Sequence, residues 1–377
     1  VPGEHGAARE DNMRRRIARV SLPFSVAVLA VLASCGSEMA EKEAGMTPQG
    51  FIDAHVAQVQ PLVEAANRAS WKASISGDAA DYAAAAEAEL ALERVYADPE
   101  AFGVLEAWQR RTDLDAALRR QLRILYLEFL GKQIPADLLQ RLVIAQNKID
   151  ETFSTFRSSI GDEAFSDNDL QEILKSSRDS RRLRAAWEAS KQVGEVVAPQ
   201  LREVVRLRNE AARHLGYDDY FALQLFLQEF DEGDFLRLFD DLDTLTRSAF
   251  ETLKADVDKR LARRYRIRVE NLRPWHYQNP FFQEAPAVFD VDLDAVYARV
   301  DLIEVNRSYY DGMGLAVDSI LARSDLFEKE GKNPHAYCTD IDRQGDVRVF
   351  ANLRPNEYWM ATLLHELGHA VYDQSIE

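Results

Sequence analysis

From Pro48 onward, apolar residues recur at three- and four-residue spacing, the period of helices that bury one face. "FIDAHVAQVQPLVEAANRASW" and "DAADYAAAAEAELALERVYAD" both follow it, and the second breaks at Asp98-Pro99, where a fresh helix is expected to start. "LDAALRRQLRILYLEFLGKQ" continues the pattern, with Gly131 as a candidate C-cap, and Pro135 and Asp137 open a helix expected to run to about Phe156. "SDNDLQEILKSSRDSRRLRAAWEASKQVG" reads as two short helices joined near Ser176 to Asp179. "PQLREVVRLRNEAARHLGYDDYFALQLFL" reads as a long helix capped at Gly216 and then another, and residues 233 to 268 as one more. A two-residue alternation stands out only in "GDVRVFANL", residues 345 to 353. The expected fold is mainly α, with one small sheet.

The N-terminal pattern differs. Met13 is followed by Arg14, Arg15, Arg16 and Arg19, then by an apolar run from Leu22 to Leu32. A basic segment before a short apolar one reads as an export signal, too short for a comfortable membrane span. It closes on Leu32-Ala33-Ser34-Cys35, which resembles a bacterial lipobox, so residues 13–34 are expected to be removed and Cys35 to carry acyl chains. The plainer alternative is an ordinary signal, or an uncleaved anchor, with an incidental cysteine. Residues 1–12 precede that Met and are expected to be untranslated. Residues 35–47, small and charged, have the composition of a tether. The expected site of action is the bacterial cell envelope, with the protein exported and lipid-anchored.

Composition narrows the classes. Of the 377 residues, 46% are apolar and 29% charged, a globular balance. The formal net charge of −17 argues against a nucleic-acid partner, whose phosphates would be repelled. Only Cys35 and Cys338 are present, which excludes a disulfide framework and a Cys-rich zinc site. Cys338 is then expected to be a small buried residue rather than a reactive thiol.

The candidate chemistry is in "ATLLHELGHAVYDQSIE", residues 361 to 377. His365-Glu366-Leu367-Gly368-His369 is an H-E-x-x-H sequence. On a helix its two histidines lie about 40° apart on one face, so both imidazoles can reach one Zn²⁺. Glu366, about 100° from His365, points beside the ion, where a carboxylate can act as general base toward water. Leu363, Leu364, Leu367, Ala370 and Val371 fall on the opposite side, suited to a core. The bland alternative, a core helix with two satisfied histidines, leaves Glu366 on that edge unexplained. A catalytic zinc normally has three protein ligands. Glu377, two helical turns beyond His369, is too far to be the third, so the chain is expected to be the incomplete, nearly inactive N-terminal part of a longer product.

Several separate segments are similar to one family. "LKSSRDSRRLRAAWEASKQVGEVVAPQLREVVRLRNEAARHLGYDDY", from Leu174 to Tyr220, resembles the angiotensin-converting-enzyme-like peptidyl-dipeptidases, as does "FIDAHVAQVQPLVEAANRASWKASIS". "HAY" at His335 and "GDVRV" from Gly345 match that family in order and spacing before the zinc helix. The resemblance covers roughly residues 48 to 377. It implies a large helical zincin shell around a substrate channel, one zinc ion and peptide substrates. His365 and His369 would be zinc ligands and Glu366 the general base. His335 and Ala336 match a pair that holds the substrate like an added strand, whereas from the residue alone His335 reads as a surface loop histidine. Gln278, in "WHYQNPFFQE", matches a glutamine that binds the substrate's C-terminal carboxylate; a loop residue between aromatic anchors is the plain alternative. The family's flanking disulfide cysteines are absent. Thimet-type oligoendopeptidases share the motif on a helical fold, and a non-catalytic peptide-binding lipoprotein is the rival outside enzymes.

Overall fold

The computed structural model describes residues 46–286 and 291–376. Thus the signal segment, Cys35, most of the tether and Glu377 lie outside the described residues. The helices are α1 (Pro48–Ser76), α2 (Ala79–Tyr96), α3 (Pro99–Trp108), α4 (Ala116–Leu130) and α5 (Ala136–Thr155). A hairpin follows, β1 (Ser158–Ile160) and β2 (Glu163–Phe165), and then α6 (Asp167–Ser176), α7 (Ser180–Ala189), α8 (Gln192–His214), α9 (Tyr220–Leu227) and α10 (Glu232–Tyr265). The last part holds α11 (Asp294–Tyr297), α12 (Leu302–Gly312), α13 (Asp318–Arg323), β3 (Tyr337–Asp340), β4 (Val347–Phe350) and α14 (Glu357–Gln374). The fold is mainly α, as the periodicity predicts. Among the described residues no helix is long and apolar enough to cross a membrane.

Local chemistry explains many boundaries. The Asp98 carboxylate accepts from the backbone N–H groups of Glu100 and Ala101, so the Asp98-Pro99 break is a capped helix start. Ser166 and Asp169 form a capping box at the start of α6. Gly216 adopts the left-handed conformation just beyond α8, as its reading requires. Gly131 stays right-handed at its C-cap; there a Cβ would come within 3.1 Å of Leu227 Cδ1. Among the described residues two sheets are present rather than one. The β1–β2 hairpin has three residues per strand, too few to show an alternation in sequence.

The described chain divides into two compact units. One comprises the stretch ending at Leu62, Glu89–Ile144 and Val204–Glu232. Its main core gathers Phe51, Leu105, Leu122, Phe129 and Leu130. The other comprises Val63–Ala88, Ala145–Glu203 and the residues from Gly233 on. Within it, one core joins Leu174, Leu183, Ala186 and Leu261, and another joins Val317, Ile320, Val347, Val349, Leu363 and Leu367. This last cluster seats α14 on the β3–β4 hairpin.

Candidate active site

The site begins with how α14 is held. Asn356 caps it, accepting from the Trp359 backbone N–H at 2.9 Å. Trp359, Met360, Leu363, Leu367 and Ala370 are buried, one stripe of the helix, while His365 and His369 are exposed on the other side. The Trp359 indole donates to Asn168 Oδ1 at 2.8 Å, and the Tyr310 hydroxyl donates to the Leu364 carbonyl at 2.6 Å. Both bonds fix the rotation of the helix about its axis. That rotation decides where the histidines point.

The two imidazoles converge. His365 Nε2 and His369 Nε2 are 2.9 Å apart, with ring planes 85° to one another. A tetrahedral zinc with Zn–N bonds of about 2.0–2.1 Å holds its nitrogens about 3.3 Å apart. The observed separation is a few tenths of an ångström less, a difference that two exposed rings can open by rotation. The donor set, two imidazoles, suits zinc. Among the described residues no third His, Cys, Asp or Glu joins them.

Glu366 is half-buried beside the pair. Burial pushes its carboxyl above the usual carboxylate range, and the two histidines and a hydrogen bond from the Cys338 backbone oppose that rise. The Cys338 backbone on β3 thus lies beside the Glu366 carboxylate. The Cys338 thiol lies 3.8 Å from Asp373 Oδ2, one turn past His369. Its pKa is pushed up to about 12 by burial first and then by the Asp373 and Glu366 carboxylates, so the thiol is protonated and inert near neutrality.

β3 pairs antiparallel with β4 in the register Tyr337↔Phe350 to Asp340↔Val347, and among the described residues β4 is its one strand partner. The alternation predicted for residues 345–353 is therefore β4, with Val347 and Val349 fully buried. His335 and Ala336 immediately precede β3. His335 is exposed and stacks on Phe153 with centroids 5.3 Å apart, and its backbone N–H donates to Asn333 Oδ1. The loop before it is anchored to the end of α1, where Asn333 N–H donates to the Ser74 carbonyl at 2.9 Å. A Cβ on Gly77 would sit 2.4 Å from the Gly331 carbonyl oxygen, so this approach of two backbones requires glycine.

Gln278 is placed differently. It follows a short 3₁₀ turn, Pro274–Tyr277, with φ +66, and its amide donates to the Lys175 carbonyl at 3.0 Å. The described geometry brings His365, Glu366, His369 and β3 together through α14; Gln278 is engaged with α6 instead.

The sequence reading missed Lys332. Its side chain is 0% exposed and donates to Asp325 Oδ1 at 2.8 Å, to the Phe327 carbonyl at 2.8 Å and to the Ala351 carbonyl. It thereby joins the loop before His335 to the end of β4. A lysine between charged residues, in "EKEGKNP", reads as surface.

Comparison with known proteins agrees with the sequence pattern. A family model described as angiotensin-converting enzyme (peptidase M2) matches residues 42–276. The chain is 29% identical over 234 residues to the angiotensin-converting enzyme of Oryctolagus cuniculus, a match covering 55% of this chain and 18% of that protein. It is 27% identical over 234 residues to the Bos taurus enzyme, with the same coverage. It is 37% identical over 108 residues to the angiotensin-converting enzyme-like protein Ace3 of Mus musculus, covering 28% of this chain and 14% of that protein. The chain thus spans about a fifth of the length of the relatives it matches, or less. The family match ends before β3 and α14, so the roles of His365, Glu366 and His369 rest on their own geometry.

Proposed function

The chain belongs to the angiotensin-converting enzyme family, and from that premise we propose that it is part of a zinc-dependent peptidase that releases dipeptides from the C-terminus of peptides. The observation that carries this reading is the 2.9 Å convergence of two exposed imidazoles with Glu366 between them on one helix. His365 and His369 would hold the ion. Zinc, when bound, supplies Lewis acidity toward the scissile carbonyl and toward water. Glu366 accepts the proton of the attacking water and returns it to the leaving amine, a task suited to a carboxylate whose pKa burial has raised. The edge of β3, with His335 and Ala336 at its start, aligns an extended peptide by backbone hydrogen bonds. Gln278 takes the peptide's carboxylate on giving up its bond to Lys175.

The test is peptide hydrolysis by the full-length gene product. Glu366→Gln keeps size and metal but cannot take a proton, and is expected to lower turnover by about 10²–10⁴-fold. His365→Ala is expected to lose metal and activity together. Glu366→Gln protein that cleaves at the unaltered rate overturns the mechanism. Cleavage that releases internal fragments rather than C-terminal dipeptides overturns the exopeptidase assignment alone.

A further inference from the structure

A second site lies in the other unit, away from the zinc motif in sequence. The first half of α1 and the face of α3 enclose a cavity of about 480 Å³, in the range of small-molecule sites. Phe51, Trp108 and Phe129 contribute aromatic walls, with the Phe51 and Trp108 rings edge to face at 5.3 Å. His55 lines the same cavity and is 7% exposed. Its ring lies 5.2 Å from Tyr96 and 5.4 Å from Phe129, and among the described residues no hydrogen bond acts on its nitrogens. An imidazole carries one donor and one acceptor, and neither nitrogen of this one is among the fully buried polar atoms, so the cavity reaches it. The cavity is where a partner can approach.

We infer that this cavity binds a small, flat, neutral aromatic molecule bearing one hydrogen-bond donor, which His55 accepts. The walls select an apolar ring. The charges present do not select an anion: Asp98 is committed to the α3 cap and Arg111 to Asp113 at 2.9 Å, while Glu100 repels anions. Burial lowers the pKa of His55, so its imidazole is neutral and keeps a lone pair to accept with. The chain's own residues 36–45, GSEMAEKEAG, are a poor chemical match, since Met39 is their one large apolar side chain.

The experiment titrates the 377-residue chain with indole and, separately, with 1-methylindole, which has the same ring but no N–H. Calorimetry and the His55 ring resonances are the readouts. Saturable indole binding that moves the His55 signals is expected, with 1-methylindole about fivefold weaker or more for want of one hydrogen bond. Ala54→Phe, at an exposed position in the cavity wall, is expected to abolish binding with the helical circular dichroism unchanged. His55→Phe is expected to bind both probes equally. The inference is overturned if the folded chain binds no indole up to its solubility, if it binds both probes alike, or if Ala54→Phe binds as the unaltered chain does.

Discussion

The Tyr310 hydroxyl donates to the Leu364 carbonyl at 2.6 Å, and the same oxygen lies 3.3 Å from where a Cβ on Gly368 would stand. One tyrosine on α12 thus holds the turn of α14 that lies between the two histidines, and glycine in the motif leaves room for it. Tyr310→Phe is expected to destabilise the protein by about 1 kcal/mol, the net worth of one hydrogen bond. Gly368→Ala gains up to about 1 kcal/mol in helix propensity but presses on the tyrosine oxygen. It is expected to be better tolerated in the Tyr310→Phe background than alone. Urea denaturation of the four proteins checks this, and purely additive effects would contradict the contact.

Lys332 holds a buried position by its hydrogen bonds. Burial lowers its pKa, while Asp325 opposes that shift. Burial likewise pushes Asp325 up, but hydrogen bonds from Lys329 and Lys332 outweigh it and keep Asp325 below the usual carboxylate range. Lys332→Met leaves Asp325 with Lys329 alone and leaves the Phe327 and Ala351 carbonyls without this donor, at an expected cost of about 1–3 kcal/mol. Adding Asp325→Asn is expected to recover part of that loss, measured by the shift in denaturation midpoint.

Zinc should bind the 377-residue chain weakly, because among the described residues only two candidate ligands, His365 and His369, converge and no third joins them. Competition with a chromophoric chelator measures this. Both nitrogens must be unprotonated to ligate, so acidification is expected to weaken binding. His365→Ala is expected to remove the remaining binding. Tight stoichiometric zinc in the unaltered chain would reveal a third ligand.

Cys338, with its pKa pushed up to about 12, should be a poor nucleophile. At pH 8 its alkylation by iodoacetamide is expected to be at least about a hundredfold slower in the folded protein than in urea, because only the thiolate reacts. Site-resolved mass spectrometry reads it out. The rate should rise with pH up to about 12 rather than level off near 9.

The lipid anchor is a separate proposal, carried by the basic and apolar segments before Cys35. Intact-mass analysis of protein expressed in a bacterial host is expected to find Cys35 as an acylated N-terminus. An unmodified Cys35 within the uncut leader would sink it.

Sequence alone determined the helical class, most helix limits and the side of α14 that faces the core. Those features are local: a 3.6-residue period, an aspartate before proline and two histidines four apart are written in neighbouring residues. The strand at residues 345–353 was legible for the same reason, since Val347 and Val349 alternate onto one buried face. Its partner β3 was not, because Tyr337–Asp340 is only half-buried and shows no alternation. Only the tertiary structure decided the contacts between residues distant in sequence. Tyr310 reaches Leu364, the Cys338 backbone reaches Glu366, and a charged-looking lysine turns inward at Lys332. His55 looks like any polar residue on an amphipathic helix until Tyr96 and Phe129, from two other helices, close around it. A side chain's polarity is fixed by its type, but whether it meets water, a partner or an empty cavity depends on chain segments that folding brings from elsewhere.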